Sequence, residues 1–160
     1  MRQTRTRIFR GDTRVEGKIL SVFEPSTEVI RKGKAGKPNE FGKMIKLQEA
    51  ENQIIIDYEV YARRASDRDL LIPAIKTHQA KLGRAPRLVA TDGGFYSAKN
   101  EAAAKAMGVT RVCVPNRLSR SPQRKREQKK RWFRNGQKWR TECEGRISVI
   151  KRRNGLNRCR

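Results

Sequence analysis

The chain has 160 residues, 36% apolar and 34% charged, and its 39 Lys and Arg against 16 Asp and Glu give a net charge of +23. That length suits one domain with one ordinary core, and the charge imbalance points to a polyanionic partner without specifying a fold. There is no membrane-length apolar stretch and no signal-peptide-like run in MRQTRTRIFRGDTR, and Cys113, Cys143 and Cys159 form no C-x-x-C pair, so the composition argues against a membrane protein, a disulfide framework or a zinc site and for a nucleic-acid partner in the cytoplasm.

In chain order, residues 1–17 form a basic N-terminal segment. KILSVF (18–23) reads as a short strand, and RKGKAGKPNEFG (31–42), punctuated by glycines and a proline, as a loop. KMIKLQEAENQIIIDYEVYA reads as a hairpin turning at EAENQ, with β-branched and aromatic residues on the return strand. A helix follows: Ser66 and Asp69 resemble a capping box, Leu70, Leu71, Ala74, Ile75, His78 and Leu82 recur at helical spacing, and Gly83 ends it. The lone histidine, His78, falls on the apolar face and reads as a packed structural residue. RLVAT is a compact strand running into DGGF, SAKNEAAAKAMG a second helix closed at Gly108, and VTRVCVP another strand. The last element, QKWRTECEGRISVIKRRNGL, reads as a helix stopped at Asn154–Gly155. A meander followed by alternating strands and helices implies an α/β protein, a mixed sheet flanked by helices, with its core in 18–116 and a basic helical segment in 117–160.

Charge concentrates in that last segment, where 17 Lys/Arg face only Glu127, Glu142 and Glu144, so it holds +14 of the +23. Its first part, RLSRSPQRKREQKKRWFR (117–134), contains Arg124, Lys125, Arg126, Lys129, Lys130 and Arg131. It reads either as a solvated arm or as a phosphate-contacting stretch, and the latter is preferred. Trp132, Phe133 and Trp139 are interleaved there, able to stack on bases or to pack on the core.

Two carboxylates stand out. Asp92 ends a strand, where ligands bind in open α/β sheets, although Asp-Gly is also a common turn dipeptide. Glu144 shares a helix face with Arg140 and Lys151; this is either an intrahelical Arg–Glu pair or a metal ligand set among phosphate-binding cations. Two carboxylates brought together would repel unless a divalent cation sat between them, and Mg²⁺ commonly takes one or two carboxylates with substrate phosphate.

ATDGGFYSAKNEAAAKAMGV resembles the second-Asp block of bacterial insertion-sequence transposases of the DDE type, and WRTECEGRISVIKRRNGL resembles their Glu block. Arg140-x3-Glu144-x6-Lys151 fits the last three positions of the family's Y-x2-R-x3-E-x6-K pattern, with Gln137 in place of the Tyr. The resemblance implies an RNase H-like fold, strand cleavage and transfer in DNA transposition, and Mg²⁺ (or Mn²⁺) at an Asp-Asp-Glu triad. Asp92 and Glu144 would be catalytic metal ligands, and Arg140 and Lys151 would meet DNA phosphates. It further implies a homodimer in a synaptic complex and a bacterial, nucleoid-associated location. The first Asp has no convincing match; Asp12, Asp57 and Glu24 are stand-ins. The implied protein is a catalytic domain truncated at both ends, its first core strand missing. Two alternatives stand beside it: a non-catalytic basic nucleic-acid-binding protein, and an inactive transposase remnant.

Overall fold

The computed structural model of the chain describes residues 2–13, 17–31 and 39–155. It is a mixed α/β structure in which the chain divides into two compact units. The expectation for residues 32–38 of the glycine-rich loop lies outside the described residues, as do Cys159 and the last residues of the basic segment.

Among the described residues, the first unit comprises those up to Ile45 together with 60–64. Its helix α1, Arg2–Arg10, is tied to the following chain by Gln3, whose amide donates to the Ile19 carbonyl at 2.9 Å and accepts from the Ile19 N–H at 2.8 Å. The expected strand at 18–23 does not form; Val22 and Phe23 are 87% and 95% exposed. Its apolar residues come as adjacent pairs, so no single face is apolar, and period-2 alternation is what lets a strand bury one side. The strands lie further on: β1 (Glu28–Arg31) pairs antiparallel with β2 (Asn39–Gly42), with Val29 opposite Phe41, and β2 falls inside the stretch read from sequence as loop.

β3 (Met44–Glu49) and β4 (Ile55–Tyr61) form the expected hairpin, and a 3-10 turn at Glu51–Gln53 stands where EAENQ was expected to turn. Asn52 and Gln53 there adopt positive φ.

Among the described residues, the second unit comprises 46–59 and 65–155 and contains all the fully buried apolar residues. Helix α2 (Asp67–Leu82) begins after Ser66, whose side chain makes no cap bond, so the expected capping box is not closed; Gly83 ends the helix at φ 68°. Strand β5 (Leu88–Ala90), helix α3 (Ala98–Ala106) and strand β6 (Arg111–Cys113) make a parallel β-α-β unit, with Val89 opposite Val112 and Ala90 opposite Cys113. Ser97 caps α3 by accepting from the Asn100 N–H at 3.0 Å.

Val112, Cys113 and Val114 are consecutively apolar because this end of β6 is covered on both sides. Val112 and Val114 face Leu71 and Ile75 of α2 and Ala104 of α3, and Cys113, pointing the opposite way, lies against the final helix. That helix, α5 (Arg131–Arg153), starts six residues earlier than the sequence suggested, and a separate helix, α4 (Pro122–Lys129), precedes it. The stretch 117–134 is therefore largely helical. Ser121 accepts from the Arg124 N–H at 3.4 Å and Pro122 takes the first helical turn, where its missing N–H is not needed.

Gly136 is the contact point of α5. A Cβ there would stand 2.9 Å from the Cys113 sulfur and 3.6 Å from a Leu88 methyl, so only a residue without a side chain lets the helix lie this close to the β5–β6 pair. Buried Phe133 accompanies it, its carbonyl accepting from the Cys113 thiol at 3.1 Å. His78 is partly buried on α2, and that burial, with Arg84 nearby, holds its pKa below the usual histidine value. Among the described residues, no helix is long and apolar enough to cross a membrane.

Candidate metal and nucleic-acid site

The register of α5 places the site. Gln137, one residue beyond Gly136, donates from its side-chain amide to the carbonyls of Cys113 at 2.9 Å and Thr91 at 3.3 Å. One amide thereby ties the ends of β5 and β6 to the helix. Gln137 occupies the position where the resembled pattern has tyrosine, and here it positions the next turn.

On that next turn, Arg140 donates to the Asp92 carboxylate at 2.5 Å and pairs with Glu144 at 3.0 Å through its other terminal nitrogen. Asp92 and Glu144 thus converge on one guanidinium, although 48 residues separate Asp92 from Arg140 in the chain. Both acids remain open to solvent, with side chains 54% and 59% exposed, whereas Arg140 is 24% exposed. A planar cation bridges the two accessible carboxylates. The oxygen donors suit one Mg²⁺ or Mn²⁺ completed by a phosphate and water. Among the described residues, no group of three or more His, Cys, Asp or Glu converges, so a three-carboxylate, two-metal centre does not fit them.

The loop after Asp92 is built for close approach. Asp92 opens a 3-10 turn at Gly93–Phe95. A Cβ on Gly93 would come within 3.1 Å of the Pro115 carbonyl, and one on Gly94 would collide with the Asp67 carboxylate. The glycines therefore accommodate the protein's own groups. Asn100 pins this loop, donating to the carbonyls of Phe95 at 3.2 Å and Arg68 at 2.6 Å.

The remaining sequence candidates divide into two kinds. Lys125, Arg126 and Lys129 are exposed on α4, Arg131 is exposed at the start of α5, and Lys151 is exposed in its last turns. Lys130 pairs with Glu127 at 2.5 Å. Arg124 is committed to the protein: it pairs with Glu101 at 2.7 Å, donates to the Val114 carbonyl at 2.6 Å, and lies over the rings of Tyr96 and Phe133 at 5.0 and 5.9 Å. It anchors α4 and has little left to offer a phosphate.

Of the stand-ins for a first Asp, Asp57 on β4 accepts from Lys81 at 2.8 Å and pairs with Lys46 at 3.3 Å, and Lys81 chiefly holds its carboxyl below the usual range. Asp12 and Glu24 belong to the first unit. Sequence reasoning missed Glu49, which grips Arg146 of α5 through both carboxylate oxygens. An i, i+3 or i, i+4 search cannot find a pair 97 residues apart. Burial pushes the thiols of Cys113 and Cys143 up, which disfavours the thiolate. Comparison of the chain with models of protein families, with curated proteins and with solved structures gave no match.

Proposed function

We propose that this chain is part of the catalytic domain of a DDE-type insertion-sequence transposase, with an RNase H-like arrangement that binds DNA and holds a divalent ion at Asp92 and Glu144. The observation that carries the reading is the convergence of these two carboxylates on Arg140, at the carboxyl end of a parallel strand and on a helix packed across it. The sequence resemblance supports the same two residues independently.

In this reading Asp92 and Glu144 hold Mg²⁺ or Mn²⁺, which supplies Lewis-acid polarisation of a scissile phosphate when bound. Arg140, which pairs with both acids, would be free to turn its planar fork to a phosphate if the acids held an ion, and a guanidinium is suited to that role. Lys151, further along α5, neutralises a neighbouring phosphate. Lys125, Arg126, Lys129, Lys130 and Arg131 track the DNA backbone, and a homodimer brings two element ends together. A third carboxylate is needed for the full triad.

A second reading, a basic DNA-binding protein without chemistry, is favoured by Arg140 itself, because its ion pairs already satisfy both acids without a metal.

The DNA-holding half has a direct test. Neutralising Lys125, Arg126 and Lys129 together is expected to flatten the dependence of log affinity on log salt by about 0.9 for each phosphate these side chains neutralise. An unchanged slope in a salt titration would remove α4 from the interface. Divalent-ion binding that depends on Asp92 and Glu144 separates the metal-holding reading from the pure binder.

A further inference from the structure

We infer that an open groove on the second unit, separate from the Asp92–Glu144 pair, is a stacking site for unpaired bases of single-stranded DNA. This rests on the reading that the chain binds nucleic acid. The groove has a volume of about 630 Å³ and is lined chiefly by Trp132, Trp139, Asn135 and Arg131 of α5, with Leu88 of β5 and Arg111 of β6.

The chain's only two tryptophans are here. The aromatic residues of this region divide by role. Phe133 is 3% exposed and sits in the core, whereas Trp132 and Trp139 border the groove. Two helical turns separate the tryptophans, so both indoles project on the same side of α5. The Arg111 guanidinium lies 5.7 Å from the Trp132 ring centre, and Trp132 meets Phe133 edge-on at 5.4 Å. Trp132 is thereby fixed in place, and Arg111 adds a second flat, charged surface beside it.

The lining contains two cations and no acid. An apolar peptide would leave Arg111 and Arg131 unpaired. An acidic peptide would satisfy the arginines and leave the indoles without planar partners. A nucleic-acid strand satisfies both, through phosphates on the arginines and bases against the indoles, with the Asn135 amide able to meet a base edge. A duplex keeps its bases stacked inside, so the occupant is single-stranded. Such a site suits a strand that has been opened or frayed beside the place where it is cut.

The test uses the whole chain and its own fluorescence, since every tryptophan lies in the groove. Binding is followed by anisotropy of a labelled oligothymidylate, and stacking by tryptophan emission, with an abasic oligonucleotide of equal length, duplex DNA and polyglutamate as controls. Oligothymidylate is expected to quench the emission saturably. The abasic strand should bind at least about 10-fold more weakly, without quenching, because its stacking is gone and its phosphates remain. Trp139→Ala should weaken oligothymidylate to a similar degree while leaving the salt slope unchanged. Equal affinity for the abasic strand, or binding without quenching, overturns the stacking site and leaves DNA binding standing. Equal quenching by polyglutamate points to an acidic-peptide site instead, and equal quenching by duplex overturns the choice of a single strand. Absence of any binding overturns this inference and the nucleic-acid reading together.

Discussion

Replacing either Asp92 or Glu144 with alanine is expected to lower the Mn²⁺ affinity of the chain–DNA complex by at least about 100-fold, while salt-dependent DNA binding persists. Residues that merely orient metal ligands commonly change affinity by about 10–100-fold, so losing one of two carboxylate ligands should exceed that range. The sign for DNA is opposite. Without Asp92, Arg140 loses a competing partner and the chain gains one net positive charge, so metal-free DNA binding stays level or tightens slightly. Stability should change little in either variant, because both acids are more than half exposed and such ion pairs contribute about 1 kcal/mol or less. Electron paramagnetic resonance of Mn²⁺, with anisotropy for DNA and a thermal melt, reads the three quantities separately. Variants that bind Mn²⁺ as the parent does would make the Arg140 cluster a simple surface network.

Gly136→Val is expected to have the largest effect on stability, a loss of about 3 kcal/mol and a fall in Tm of roughly 6–12 °C. The new Cβ would stand 2.9 Å from the sulfur and 3.3 Å from the Cβ of Cys113, a residue with no solvent exposure. Neither atom is the free end of a long side chain, so the strand or the helix must move. Gly136→Ala is milder, because removing a helical glycine returns up to about 1 kcal/mol against the clash. The two substitutions also differ in function. If α5 shifts, Gln137 loses the Cys113 and Thr91 carbonyls and Arg140 swings away from Asp92, so the valine variant should lose metal binding even where it stays folded. A valine variant with parental Tm would show that α5 does not rest on Cys113.

What the sequence revealed follows from how local each signal is. The helix at Asp67–Leu82, the β5-α3-β6 unit and the hairpin turn were legible because apolar spacing, an alanine-rich run, Gly83 and Gly108 are signals carried within a few residues. The strand expected at 18–23 was misplaced because apolar content without alternation does not specify a face. Helix α4 was hidden by charge: PQRKREQK has no apolar stripe, and it is held by Arg124 reaching Glu101 and the Val114 carbonyl. Asp92, Arg140 and Glu144 could be singled out from residue type and spacing, but their convergence could not. It depends on the seat at Gly136, which from sequence is only a glycine within a basic helix. Arg124 shows the converse, since a residue counted with the phosphate-binding cations is in fact a structural anchor.

The most direct test of the central claim is Mn²⁺ binding by the chain–DNA complex, with Asp92→Ala and Glu144→Ala in parallel. The proposal predicts one bound ion in the parent chain, lost in either variant, with little nicking of supercoiled plasmid because the third carboxylate is lacking among the described residues. Tight, salt-sensitive DNA binding with no bound ion, or ion binding that survives both substitutions, would contradict it.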